Sequence, residues 1–204
     1  LKVNRNSTSS LKEFLNINGV SFLCDCCGTT PAHIEALAKA VENDVPLKPC
    51  GFLKASLASL FGTVPLKQEP APLLIGERSN ATGSKAFREL LKANDYEGTL
   101  SVGQQQVRAG AHVIDVSVGF AGRDERVDMD AVTALYSQKV ALPLMPDSTQ
   151  IYALEAALKQ IGGRAIINSV NLEDGEEKFD AVCSLAKKFG AALVCLVIDE
   201  VGMA

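Results

Sequence analysis

The sequence predicts an α/β protein built on a TIM-type (β/α)8 barrel. The barrel is incomplete, with about five strands present, and is preceded by the terminal βα unit of another barrel and a linker. Three observations predict it. From residue 73 onward, short apolar runs alternate with helical patterns, giving five strands and four helical connections. Those runs are almost continuously apolar, as in parallel sheets covered by helices. The first of them ends in "GERSNATG", polar and charged, without the G-x-G-x-x-G spacing that a doubly wound nucleotide-binding sheet normally carries.

Residues 19–25, "GVSFLCD", read as a short buried strand, followed by the turn "CCGTTP". A helix then begins with Thr30 as N-cap and Pro31 at its first position, with apolar residues at 34, 37, 38 and 41. Prolines at 46, 49, 65, 70 and 72 surround one amphipathic stretch, "FLKASLASLF", which predicts a linker with one docked helix. The expected divisions are 1–42, the end of a first barrel; 43–72, the linker; and 73–204, the start of a second barrel.

Within that last part, "PLLIGER" is an expected strand and residues 84–109 are expected to be mostly helical. "HVIDVSV", "LPLMPDS" and "RAIINSV" are the next strands, separated by helices over "MDAVTALYSQKVA" and "QIYALEAALKQIG". A helix over "GEEKFDAVCSLAKKFG" leads to a fifth strand, "AALVCLVIDE".

Composition excludes several functions. Net charge is −4 and pI about 5.3, so no basic footprint for nucleic acid exists. No apolar run approaches the roughly 20 residues that span a bilayer. The opening "LKVNRNSTSS" lacks the apolar core of a signal peptide, and no initiator Met is present, which suggests a fragment of a cytoplasmic protein. Six cysteines without a secretory signal argue against a disulfide framework. Cys183 and Cys195 fall in apolar patterns and read as core, whereas Cys26 and Cys27 sit on a strand-to-helix turn and suit a metal or reactive site.

The chemistry gathers at strand ends. Glu77, Arg78 and Asn80 follow the first strand, Asp115 and Ser117 close the second, and Asp147 and Ser148 the third. Asn168 and Ser169 follow on the fourth, and Asp199 and Glu200 on the fifth. One such residue is ordinarily a turn former; five successive ends of this kind read as a site on the C-terminal face of a barrel. Carboxylates and carboxamides without clustered cations suit a neutral heterocycle rich in donors, such as a 2-amino-4-oxo pyrimidine ring, whose adjacent N–H groups one carboxylate can accept together. No strand-end residue reads as a general acid, and His33 and His112 both read as structural.

"PLLIGERSNATGS", "GAHVIDVSV", "PLMPDST", "AIINSV" and "GAALVCLVIDEVGMA" closely resemble the pterin-binding domain of the cobalamin-dependent methionine synthase family. "CCGTTPAHI" resembles the end of the homocysteine-binding barrel preceding it in that family. The resemblance implies a methyltransferase that takes the methyl group of 5-methyltetrahydrofolate, passes it to cobalamin on a further domain, and delivers it to homocysteine to make methionine. It also implies that Cys26 and Cys27 are two of three zinc ligands, the third lying on an absent strand. Cys24 and Asp25 stand where the family has two glycines. It implies folate contacts from Glu77, Asn80, Asp147 and Asn168, with Asp147 on the N–H edge of the pterin and Asn168 hydrogen-bonded to N5 during catalysis. Asp115 is expected as a supporting group, and Arg78 as a brace for the carboxylates. A methyltetrahydrofolate–corrinoid protein methyltransferase resembles the same barrel but has no homocysteine domain. Dihydropteroate synthase shares the barrel, but its phosphate-handling loop is not seen here. A non-catalytic fragment, binding pterin or nothing, is the remaining alternative.

Overall fold

The computed structural model describes residues 23, 28–45 and 54–203. Helix α1, Pro31–Val41, belongs to one compact unit, and everything from residue 54 to a second. Thr30 caps α1 as expected, and His33 closes the cap by accepting the Thr30 N–H at 3.2 Å, a structural role. Residues 24–27 lie outside the described residues, and with them the expected zinc ligands Cys26 and Cys27 and most of the strand expected over 19–25.

The second unit opens with a correction. The described part of the amphipathic stretch, residues 54–61, holds β1 (Ser56–Ala58) and the turn of a β-hairpin whose second strand is β2 (Thr63–Pro65), paired antiparallel with it, and not a docked helix. Its apolar residues satisfy a two-residue period as well as a helical one over so short a run, and only packing chooses between them. Leu57 is fully buried against Val113, Met145 and Ile166, a contact worth about 1.5–3 kcal/mol. Ala58 exchanges backbone hydrogen bonds with Arg164, just before a later strand. The hairpin therefore covers the N-terminal ends of the parallel strands.

Five parallel strands follow in chain order: β3 (Ile75–Asn80), β4 (Val113–Ser117), β5 (Leu144–Pro146), β6 (Ile166–Val170) and β7 (Ala192–Cys195). β3, β4 and β5 pair in that order, β6 pairs with β7, and a parallel bridge between Asp147 and Asn168 joins the two groups. The order never reverses among the described residues, unlike a doubly wound sheet.

Helices cover one side of the strands. The segment expected as one helix is two, α2 (Lys85–Lys92) and α3 (Tyr96–Arg108), broken where Asn94 adopts φ 54° and Asp95 caps the next helix. Then come α4 (Glu125–Lys139), α5 (Ile151–Gln160) and α6 (Glu176–Phe189), which ends on left-handed Gly190. Ile114, Val116 and Val118 of the second strand meet Phe87, Leu91, Met129 and Tyr136 of these helices in the main core.

The fifth strand is shorter than expected. It stops at Cys195, and Ile198–Asp199 (β8) pairs antiparallel with Gly202–Met203 (β9) in a tight turn. No helix among the described residues is long and apolar enough to cross a membrane.

Candidate pterin site

Side chains two residues apart on a strand share a face. Val113, Met145 and Ile166 form the layer closed off by Leu57, and two residues further on come Asp115, Asp147 and Asn168. The same period that builds the apolar floor thus delivers two carboxylates and a carboxamide to the level above it. The strand-bridge of Asp147 and Asn168 lies in this layer. β7 sends Ala192 and Val194 to the floor, and its next inward position is Leu196, so it adds no polar group. Asp199, expected in the cluster, instead accepts the backbone N–H groups of Val201 and Gly202 as a turn former.

Asp115 is the centre of the cluster. It is 1% exposed, and its Oδ1 accepts from Asn168 Nδ2 at 3.3 Å. Burial, followed by the neighbouring Asp147 charge, pushes its carboxyl up to about 7, against the opposing hydrogen bonds from Asn168 and Asn80. Asp147 is also held above the usual carboxylate range, chiefly by burial, although Ser117 hydrogen-bonds to it. Glu77 raises both through its charge. No lysine or arginine figures among these influences. The strand ends do hold a group able to carry a proton near neutrality, which sequence reading missed because Asp115 is shifted by its surroundings rather than its neighbours in the chain.

Asn80 serves two partners. Its Oδ1 accepts from Thr82 N and Gly83 N, both at 2.9 Å, which shapes the turn after β3, and its side chain counters the upward shift of the Asp115 carboxyl. Arg78 does not brace the carboxylates. It lies on the opposite side, lining a 420 Å³ cavity with Ser84, Gln105 and Gln106. Ser148 turns its hydroxyl to the Gln150 N–H at the start of α5, and His112 accepts the Leu74 N–H at 2.9 Å far from the cluster.

Above Asp147 and Ser117 opens a cavity of about 960 Å³, walled by Phe120, Gln150 and Tyr152 among others. That is room enough for a folded heterocycle with an aryl substituent. A smaller space of about 110 Å³ runs from Asp147 past Asn168 toward Asn171. Among the described residues no group of three or more His, Cys, Asp or Glu has the arrangement to hold a metal ion.

Acceptors beside an open cavity, with Asp115 and Asp147 both held above the usual carboxylate range and no cation among the groups acting on them, suit a donor-rich ring, and Arg123 and Arg126 stand elsewhere on the cavity wall. Residues 76–203, the stretch that carries every residue of this cluster, match the family described as pterin binding enzyme. The chain belongs to the pterin-binding enzyme family. A methionine synthase of Mycobacterium tuberculosis (strain ATCC 25618 / H37Rv) is 43% identical over 198 residues, covering 96% of this chain and 17% of that relative. A methionine synthase of Mycobacterium leprae (strain TN) is 43% identical over 204 residues, with the same coverage of each. The pterin-binding chain thus spans 17% of the length of these curated relatives.

Proposed function

We propose that this chain is the folate-binding portion of a methionine synthase-type methyltransferase, and that its five parallel strands are part of a TIM-type (β/α)8 barrel. The observation that carries the reading is the buried Asp115, raised to about 7 beside Asp147 and Glu77, with only amides as partners. Such a cluster is costly unless a ligand supplies donors. The 2-amino and N3–H groups of a pterin supply two in one plane, and a carboxylate accepts both at once. Asp147 takes that edge, Glu77 and Asn80 border it, and Asp115 backs it from beneath.

The substrate is 5-methyltetrahydrofolate. Its N5 releases the methyl group only as that nitrogen gains a proton. Asn168 donates its Nδ2 hydrogen to Asp115, which leaves Oδ1 as the acceptor for an N5–H, so the amide stabilises the charge that develops there. Cobalamin, bound elsewhere in the parent enzyme, supplies the cobalt nucleophile that accepts the methyl group, and homocysteine is the final acceptor. None of the described residues is assigned to cobalamin or to zinc.

Binding of 5-methyltetrahydrofolate to the full chain, set against its 2-desamino analogue, tests the reading by calorimetry. The analogue is expected to bind at least about tenfold more weakly, because it leaves a buried acceptor unpaired. Equal binding would refute recognition of the N–H edge.

A further inference from the structure

We infer that Gln106, on α3 and outside the ligand cavity, is a positioning residue that locks a bulge in β3 and so brings Glu77 and Asn80 onto the same face. The inference rests on the proposed pterin site.

Glu77 and Asn80 are three residues apart, and a regular strand would send them to opposite faces. Yet the register sets Asn80 opposite Ser117, which shares a face with Asp115, and leaves Glu77 in the stretch opposite Asp115, where its charge reaches that carboxyl. The register explains how: Gly76 pairs with Ile114 and Ser79 with Val116, so β3 carries one residue more than β4 between these points. A bulge of this kind removes a backbone group from the ladder, and here Gln106 replaces the lost partner. Its Oε1 accepts the Arg78 N–H at 2.7 Å.

The other end of the amide is held just as firmly. Gln106 Nε2 donates to Ser79 Oγ at 2.9 Å, Ser79 meets Tyr136 OH at 2.9 Å, and Tyr136 donates to the Thr99 carbonyl at 2.6 Å. Because the tyrosine hydrogen is committed to a carbonyl, the serine must donate to the tyrosine, and the amide to the serine. Every proton in the chain is assigned, and the amide has one orientation, with oxygen toward the bulge. The group is 5% exposed, so water does not compete. Gly76 makes room for it: a Cβ there would lie 2.7 Å from Gln106 Oε1.

Without the lock, β3 gains by slipping to regular pairing, which turns Glu77 away from the site while Asn80 keeps its place opposite Ser117 beyond the bulge. Gln106→Leu, made in the full chain, is expected to weaken 5-methyltetrahydrofolate binding about tenfold, roughly the weight of one satisfied hydrogen bond. Gln106→Glu keeps the acceptor for Arg78 and, when protonated, a donor for Ser79, and is expected to bind more tightly than Gln106→Leu. In a Glu77→Ala background, Gln106→Leu is expected to add much less, since it acts through that residue. Gly76→Ala, which pushes the amide aside while keeping its polar atoms in the protein, provides the same test should Gln106→Leu fail to fold. Unchanged affinity in both variants while Asp147→Ala weakens binding overturns the lock and leaves the pterin site standing. A full tenfold loss in the Glu77→Ala background also overturns it. If Asp147→Ala has no effect either, the pterin site fails and the inference with it.

Discussion

Asp115 and Asp128 are both 1% exposed, yet their surroundings are opposite in kind. Asp128, at the start of α4, receives Arg123 through both its oxygens at 2.6 Å and the Tyr96 hydroxyl at 2.7 Å. Arg123 reaches on to Asn94 at 2.9 Å, so one planar guanidinium ties the loop before α4 to the break between α2 and α3. The Asp128 hydrogen bond, followed by burial, raises the Tyr96 phenol, and the same carboxylate raises Arg123. Asp115 has two amides and two further carboxylates. The first site is complete in itself and braces the scaffold. The second has only amides to set against its carboxylates, which suits a site completed by a ligand's donors rather than a structural ion pair at equal burial.

The largest effect is expected at the completed site. Asp128→Ala leaves Arg123 and Tyr96 without their partner and should cost about 3–5 kcal/mol, read as a lower denaturant midpoint. A loss under about 1 kcal/mol would remove the distinction between the two carboxylates.

Asp115 should behave in the opposite sense. Its folded-state value near 7 lies above the usual 3.8, so the folded chain holds the proton more tightly than the unfolded one. Its contribution to stability is complete below about 4 and is lost as pH rises through 7, a difference of at most about 4 kcal/mol. Asp115→Asn removes this dependence. It is expected to raise the melting temperature at pH 8 and to change it little at pH 4. A variant less stable than wild type at pH 8 would show that the carboxylate is supported there.

Asp147→Ala should weaken 5-methyltetrahydrofolate binding by roughly 2–4 kcal/mol without lowering the melting temperature, since ligand donors lose a charged partner. Calorimetry and a thermal scan on one sample decide both halves. The smallest effect belongs to Lys188, whose ammonium meets Glu155 at 2.9 Å in open solvent. Lys188→Ala is expected to leave the denaturation curve unchanged, the reference against which the buried sites are measured.

Much of the scaffold was legible along the chain. Strand and helix periods are local properties, and so was the cap at Thr30, whereas the break before Asp95, inside a segment expected as one helix, was not read. Asp115, Asp147 and Asn168 could be located because each follows an apolar strand run, and their common face is a consequence of the two-residue period. The amphipathic stretch was misread over residues 54–61 because a short run of alternating apolar residues fits two periods, and the deciding contact, Leu57 on Val113, Met145 and Ile166, comes from distant strands. Gln106 gave no signal. It is one of three successive glutamines, and the buried face it shares with Thr99 and Gly103 is polar or small, so a search for apolar periodicity passes over it.

The sequence alone determined which residues end each strand, and hence that carboxylates and amides gather at one end of the parallel strands. That follows from local periodicity and chain direction. Tertiary structure alone decided how those groups behave: the bulge that aligns Glu77 with Asn80, the amide that holds it, and the proton affinity of Asp115. Each of these depends on the distance and dielectric between residues far apart in the chain, and the order of residues does not encode either one directly.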